Sequence, residues 1–271
     1  MNTFPFMVRP MPALSRGDLS ANTNRTRPAW RRGNVQRVNL GKRAELDDVP
    51  RAAAPRDRRT APPVPAPQAA PAPSQPLPPP RPLPIPDLQR PLQRGQKAST
   101  GLRQGDGSHL SIAFGWNVKD GRCDVDASAF LLGPDGRVPG DEWFVFYGQP
   151  ESPDGSVRFA EDGRTDRQVI RLDLQRLDPS IQRIVFVMTI NEAIERRLNF
   201  GMIQDAWLRM LDAGGREILS YRPLDLFPQI TSMTLGELYL HKGEWKFNPV
   251  GNGLNIDLAG QCAVYGVDIS D

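Results

Sequence analysis

Proline and aromatic residues divide this chain at about residue 100, and that division limits which part of it can fold. Residues 1–100 contain 20 of the 28 Pro but only 3 of the 20 aromatic residues. They also carry 17 Lys and Arg against 6 Asp and Glu, a net charge of +11. A segment with so little apolar surface and so much net charge cannot offset the conformational entropy lost on folding. We therefore predict a disordered, basic, Pro-rich arm over residues 1–100.

Residues 101–271 have the composition of a folded domain. They hold most of the aromatic residues, and their 17 Lys and Arg against 25 Asp and Glu give a net charge of −8. Their length is typical of one domain. The apolar runs are far shorter than the ~20 residues of a membrane helix. With no secretory signal pattern and only two Cys, we predict a cytoplasmic protein with reduced thiols.

The arm has a proline-rich part and a basic part. Residues 61–91 alternate Pro with other residues, which predicts an extended polyproline II spacer. Residues 78–82 contain a P-x-x-P register, so docking into an aromatic-lined groove is the alternative to a stiff linker. The Arg-rich stretch over residues 25–43 suits an acidic partner surface or anionic lipid. No nucleic-acid-binding fold accompanies it, so we expect no specific nucleic acid partner.

In the folded part, apolar and polar residues alternate over short stretches, as they do in β-strands. Leu110, Ile112, Phe114 and Trp116, for example, would share one face of a strand. Only residues 191–197 and 257–265 have a helical pattern. Strands are predicted at 108–116, 123–132, 143–147, 157–159, 169–174, 183–190, 205–211, 216–221, 235–240 and 244–247. Short strands at this spacing, separated by Gly- and Pro-containing turns, predict a mainly β fold, a β-sandwich.

The string Asp124-Val125-Asp126 is the most site-like feature. Alternate residues of a strand share a face, so Asp124, Asp126 and Ser128 would point the same way, with the two carboxylates ~7 Å apart. Like charges so close on a sheet are unfavourable unless a cation neutralises them. Ca²⁺ is the cation that such oxygen ligands prefer. A solvated acidic edge without any ion is the alternative.

Further acidic residues could converge on the same place from loops. These are Asp154, Glu161, Asp162 and Asp166. Paired carboxylates can also act as general acid and base, but the sequence does not indicate the apolar pocket that this chemistry needs. None of the common hydrolase, nucleotide-binding or zinc-protease motifs occurs. The sequence therefore predicts that the protein is not an enzyme.

These residues also form an ordered series of strings that resembles a known family. The series contains Gly115-Trp116, then Asp124-Val125-Asp126-Ala127-Ser128-Ala129, Ser152-Pro153-Asp154-Gly155-Ser156-Val157 and His241-Lys242-Gly243-Glu244-Trp245. Over residues 102–269 it is similar to the TerD family of bacterial tellurium-resistance and stress proteins. The resemblance implies a sandwich of two antiparallel sheets with a few short helices, calcium binding and no catalysis. It also implies other Ter-type proteins and a TerC-like membrane protein as partners.

One departure from the family pattern concerns the loop after the S-P-D-G-S-V string. The family usually has G-D-N-x-T-G followed by D-D-E, whereas this chain has a shorter loop. Gly163 replaces the Asn, Arg167 the second Asp and Gln168 the Glu, while Arg164 adds another positive charge. Calcium affinity follows ligand charge and number. The resemblance thus implies a degenerate calcium site at Asp124, Asp126, Asp154, Asp162 and Asp166.

Two functions remain open from the sequence. The first is a non-enzymatic tellurium-resistance and stress-response protein, a docking module that joins other Ter-type proteins or a TerC-like protein at the inner membrane face. The alternative is a protein that binds a small phosphate ligand, such as a cyclic nucleotide, near Arg164 and Arg167.

Overall fold

The structure, a computed structural model, describes residues 78–162, 165–223 and 229–269. The predictions of disorder and of an Arg-rich contact segment within residues 1–77 fall outside this part. Among the described residues, no helix is long and apolar enough to span a membrane.

The described residues form two six-stranded sheets, which confirms the predicted mainly β fold. Sheet 1 has the order β1-β10-β9-β3-β7-β6, and sheet 2 has the order β2-β12-β11-β8-β4-β5. The strands are β1 Pro91–Leu92, β2 Ala98–Arg103, β3 His109–Val118, β4 Val125–Leu132, β5 Phe144–Val145, β6 Val157–Glu161, β7 Gln168–Asp173, β8 Arg183–Ile190, β9 Ile203–Asp212, β10 Glu217–Tyr221, β11 Ser232–His241 and β12 Glu244–Leu254. The described pairings are antiparallel except β1 with β10.

The core lies between the inner faces of the two sheets. Phe114 of β3 meets Phe186 of β8 with ring centroids 6.0 Å apart, and the alternating apolar residues predicted for β3 are all buried. Burial of this apolar surface provides the main favourable contribution to folding. Phe146, in the strand predicted over 143–147, is only half-buried. Trp207 is fully buried but lies on the outer face of sheet 1.

The predicted helix near the C-terminus is present as α1, Leu258–Tyr265. Asp257 caps it by accepting a hydrogen bond from the Gly260 N–H, and Gly266 ends it in the left-handed conformation that glycine tolerates. The helix packs on the outer face of sheet 2, where the Tyr265 ring lies 4.5 Å from that of Phe130. This helix therefore covers the side of sheet 2 that faces away from sheet 1.

Two local predictions are wrong. Residues 191–197 form turns, because Glu192 and Arg197 adopt positive φ values of 51° and 55°, which a right-handed helix cannot contain. The strand predicted over 143–147 is reduced to β5, because Phe146 and Gln149 exchange backbone hydrogen bonds of 3.1 Å and close a tight turn. That turn leaves the Tyr147 side chain 54% exposed.

The sheets begin before the predicted boundary between residues 100 and 101. Both β1 and the start of β2 lie in the segment assigned to the arm, and the boundary itself falls inside β2. Backbone pairing needs few aromatic residues, so composition does not reveal these edge strands. Pro91 is compatible with β1 because the first position of an edge strand tolerates a missing N–H.

Candidate functional site

A cluster of carboxylates lies along the open edge of β4, and we call Asp124, Asp126 and Glu161 the acidic edge. Gln168, the first residue of β7, donates from Nε2 to Asp126 Oδ1 at 3.0 Å and to Glu161 Oε1 at 3.2 Å. Its Oε1 accepts the Ala127 N–H at 2.7 Å. A neutral amide thus lies between two carboxylates.

The topology explains why Gln168 occupies this position. The short β5 pairs only with Ala129 and Phe130 of β4, so it does not reach the preceding residues of that strand. The Ala127 N–H is buried and needs an acceptor, which the Gln168 side chain supplies from the facing sheet. This hydrogen bond fixes the amide orientation, so that the NH₂ group faces the carboxylates.

The negative charge of the acidic edge is only partly balanced by neighbouring groups. Burial raises the pKa of Asp126, the hydrogen bond from Gln168 opposes that rise, and the charges of Asp124 and Glu161 add to it. Asp124 itself is exposed and touches Asn191 through its carboxylate at 3.5 Å. Among the described residues, no Lys or Arg forms an ion pair with any of the three acids. The edge therefore presents negative charge.

Tyr147 adds an exposed aromatic ring beside these carboxylates. Its ring packs edge-on against Phe146, with centroids 5.2 Å apart. Partial burial raises the pKa of the Tyr147 hydroxyl, and the charges of Asp126 and Asp124 raise it further. Phe146 in turn stacks on Phe144 at 4.6 Å, so the exposed ring rests on the core.

Asp154 has a structural role in the turn before β6. Its Oδ1 accepts hydrogen bonds from the Ser152 hydroxyl at 2.6 Å and from the Ser156 N–H and hydroxyl at 2.9 and 2.7 Å. Its Oδ2 accepts the Asp178 N–H at 2.9 Å. Burial alone would raise the pKa of this carboxyl, but the combined hydrogen bonds lower it. Asp154 lies at the end of β6 opposite to Glu161, away from the acidic edge.

Asp166 lies on the outer face of sheet 1. The residue is 2% exposed, and its carboxylate accepts the Trp207 Nε1–H at 2.7 Å and forms an ion pair with Arg209. Asp162 organises the same loop by accepting the N–H groups of Thr165 and Asp166 at 3.2 and 3.1 Å. We call Asp166, Trp207 and Arg209 the outer-face triad.

The structure therefore brings Asp124 and Asp126 together with Glu161, and directs Asp154 and Asp166 to other hydrogen-bond partners. Among the described residues, no group of three or more His, Cys, Asp or Glu side chains could hold a metal ion. Calcium needs six to eight oxygen ligands, and the Gln168 NH₂ group is a donor, so this arrangement does not fit such a cage. Calcium binding stays a prediction.

Sequence reasoning identified Gln168 only as a lost carboxylate. It did not identify the amide as the bridge between Asp126 and Glu161, nor Trp207 and Arg209 as the partners of Asp166. The open edge of β4 explains the position of Gln168. This edge depends on which strands pair with β4, and those strands are distant in sequence. Arg167, expected near the carboxylates, instead donates to the carbonyls of Trp116 at 3.1 Å and Arg81 at 3.2 Å.

Comparison with known proteins identifies the family. The family model of the TerD domain matches residues 88–265, which extend from just before β1 to the last residue of α1. The chain belongs to the TerD family. Tellurium resistance protein TerD of Serratia marcescens is 37% identical over 188 residues, which cover 66% of this chain and 98% of that protein.

Other relatives connect the TerD family to stress responses. General stress protein 16U of Bacillus subtilis (strain 168) is 33% identical over 188 residues, covering 66% of this chain and 97% of that protein. A solved structure of a TerD homologue from Streptomyces coelicolor A3(2) aligns with a TM-score of 0.45 at 20% identity, covering 56% of this chain and 93% of that one. The chain is thus a member of a tellurium-resistance and stress-response family.

Proposed function

We propose that this TerD-family protein is a non-enzymatic docking module with a degenerate calcium site. The observation that carries the proposal is the acidic edge with the exposed Tyr147 ring beside it. Protein interfaces are enriched in Tyr, and opposite charges on two partners steer their association. This surface fits a partner whose basic residues face the carboxylates. An apolar or cationic side chain of the same partner would contact the Tyr147 ring.

The state of the thiols argues against catalysis by a nucleophilic Cys. Burial raises the pKa of the Cys123 thiol to about 11 and that of the Cys262 thiol to about 12. A nucleophilic Cys needs a lowered pKa, because the thiolate is the reactive form. Both thiols are therefore protonated at neutral pH and act as core residues.

A TerC-like membrane protein is a partner whose chemistry suits the acidic edge, because cytoplasmic loops of membrane proteins carry an excess of Lys and Arg. We expect the full chain to bind nanodiscs that hold such a protein, and to bind less at high salt. Tyr147→Ala and Asp124→Asn should each weaken binding about tenfold, whereas the exposed Asp135→Asn should not. Binding that is indifferent to salt and to all three substitutions would contradict the proposal.

The degenerate calcium site is tested at Gln168. Gln168→Glu would place a third carboxylate between Asp126 and Glu161 and so create an oxygen-rich site. Titration of the full chain with Ca²⁺ by calorimetry should give at least about tenfold tighter binding for Gln168→Glu than for wild type, since affinity follows ligand charge. The exposed Gln175→Glu is the matched control and should leave the affinity unchanged. Equal affinities for all three chains would show that the acidic edge is not a remnant calcium site.

The alternative of a phosphate ligand near Arg164 and Arg167 has less support. Arg164 lies outside the described residues. Arg167 donates from Nε and Nη2 to two backbone carbonyls, and burial lowers its pKa. Its guanidinium is therefore committed mainly to the backbone rather than presented to a ligand.

A further inference from the structure

Part of the outer face of sheet 1, around Trp207 and Asn117, is buried although it points away from the core. Gly115, Asn117, Asp205 and Trp207 lie on this face, where Gly115 pairs with Trp207 and Asn117 pairs with Asp205. Trp207 is fully buried and Asn117 is 5% exposed. A Cβ atom on Gly115 would lie 1.9 Å from the Trp207 ring, so the indole rests directly on the glycine backbone. An outer sheet face packed this closely has a covering layer.

The proline-rich segment of residues 81–90 contributes to that cover, and Asn117 binds it at Leu83. Asn117 Oδ1 accepts the Leu83 N–H at 2.8 Å, and Asn117 Nδ2 donates to the Leu83 carbonyl at 3.0 Å. The side-chain amide thus pairs with one backbone residue as a neighbouring strand would. Nδ2 also contacts Asp205 at 3.3 Å, and Asp205 is held by Arg222 at 2.7 Å. The amide is therefore positioned by the sheet.

Three more hydrogen bonds hold the segment near its ends, and all three involve its backbone. Arg167 Nη2 donates to the Arg81 carbonyl at 3.2 Å. At the other end, the Arg90 N–H donates to Glu217 Oε1 at 2.8 Å, and the Arg90 carbonyl accepts the Ser220 N–H at 2.9 Å. A proline-rich chain has few N–H groups and no internal hydrogen bonds, so its carbonyls and remaining amides are available for such recognition.

The side chains of the segment divide into a sheet-facing and a solvent-facing set. Leu83 and Pro86 are half-buried, whereas Pro82, Pro84 and Ile85 are exposed. The spacing of three between Leu83 and Pro86 matches the three residues per turn of polyproline II. Leu83 and Pro86, with the half-buried Leu88, therefore form the less exposed side of the segment, which we assign to the sheet, whereas Pro82, Pro84 and Ile85 form its solvent-exposed side.

We propose that the outer face of sheet 1 is a recognition surface for an extended proline-rich peptide with a central Leu, and that residues 81–90 of the same chain are its resident ligand. The segment continues without a break into β1, which pairs with β10 of the same sheet. This short connection gives the ligand an effective concentration of about millimolar or higher. A partner that binds residues 78–86 must compete with Asn117 for the Leu83 backbone.

The proposal can be tested with full-length chains and a fluorescent peptide of residues 78–90. Leu83→Ser combined with Pro86→Ser removes the sheet-facing ridge and should free the surface. Pro82→Ser combined with Ile85→Ser changes the solvent-facing side and is the matched control. We expect peptide affinity, measured by fluorescence polarisation, to be at least about tenfold higher for the first double variant than for wild type or the control. Adding Asn117→Ala to the first variant should abolish the gain.

A second measurement covers the case in which the double variant does not fold. In the wild-type chain the Leu83 amide should exchange with deuterium slowly, as followed by NMR, because it donates to Asn117. Asn117→Ala should accelerate its exchange about tenfold or more, whereas the exposed Asn252→Ala should not. Fast exchange of Leu83 in wild type, or equal peptide binding by all chains, would overturn the proposal. Protection of Leu83 that depends on protein concentration would show that the Asn117 acceptor belongs to a second copy, and it would overturn the assignment to the same chain.

Discussion

The acidic edge and the outer-face triad both contain carboxylates close to Gln168, the first residue of β7. The protein balances the negative charge of one and leaves that of the other largely unbalanced. Asp166 is buried against a guanidinium and an indole N–H, so its charge is balanced by the protein. Burial raises the pKa of Asp126, the charges of Asp124 and Glu161 raise it further, and the hydrogen bond from the neutral Gln168 amide only partly opposes this rise. The comparison teaches that the counter-charge supplied by the fold, rather than the residue type, separates a structural carboxylate from one available to a partner.

The largest expected change in unfolding free energy comes from a substitution in the outer-face triad. Asp166→Ala would leave Arg209 buried without its partner, and breaking a buried ion pair in this way costs about 3–5 kcal/mol of unfolding free energy. Asp124→Ala at the acidic edge should change it by less than about 0.5 kcal/mol because that side chain is exposed. Urea denaturation of both variants measures the difference. Similar losses in the two would remove the distinction between the regions.

A smaller loss of unfolding free energy is expected from a substitution at Gly115, which lies beneath Trp207. Gly115→Ala forces the indole away from the sheet, and overpacking of this kind costs about 1–3 kcal/mol. The exposed Gly107→Ala is the control, since its nearest neighbour to a new Cβ would be 3.7 Å away. Thermal unfolding of the two variants should differ clearly. An unchanged melting temperature for Gly115→Ala would mean that the outer face is not closely packed.

The acidic edge should reveal itself in the pH dependence of stability. Because the pKa of folded Asp126 is raised above 3.8, the folded state binds this proton more tightly than the unfolded state. Asp126 therefore destabilises the fold at neutral pH, and this cost disappears as the pH falls through the raised pKa to 3.8. Asp126→Asn should be more stable than wild type at neutral pH and lose that advantage at low pH.

Asp154 provides the opposite sign and serves as the control for that experiment. Its pKa is lowered in the folded state, so its contribution is stabilising above 3.8 and is lost as the pH falls through the lowered value. Asp154→Asn should be less stable than wild type at neutral pH. Unfolding free energies across pH 3–8 would contradict the comparison if both variants shifted in the same direction.

The smallest effect is expected from the N-terminal segment. Deleting residues 1–77 should change the unfolding free energy by less than about 0.5 kcal/mol, since this segment has few aromatic residues to bury. Deleting residues 1–100 would also remove β1 and half of β2 and should cost clearly more. If both truncated chains had the stability of the full chain, the edge strands and the docked segment would contribute nothing.

Local sequence patterns were sufficient for most of the fold. The continuous apolar run around residues 184–188 predicted β8 at residues 183–190, the bounds that the structure has. The helical pattern over residues 257–265 predicted α1, which the structure has at Leu258–Tyr265 with Asp257 as its N-cap. The patterns failed at residues 191–197, where two backbone conformations in the left-handed region end any helix before it can form. They also did not detect β1, whose pairing depends on the neighbouring strand.

Which carboxylates meet was decided only by tertiary structure. Gln168 contacts Asp126 across 42 residues of sequence, Arg209 contacts Asp166 across 43, and Asn117 contacts Leu83 across 34. Periodicity specifies which face of a strand a side chain occupies, and it thereby placed Asp124 and Asp126 together. It does not specify which strand lies opposite. Strand order and register supply that information, and they separated Asp154 and Asp166 from the edge that the sequence had assigned to all five.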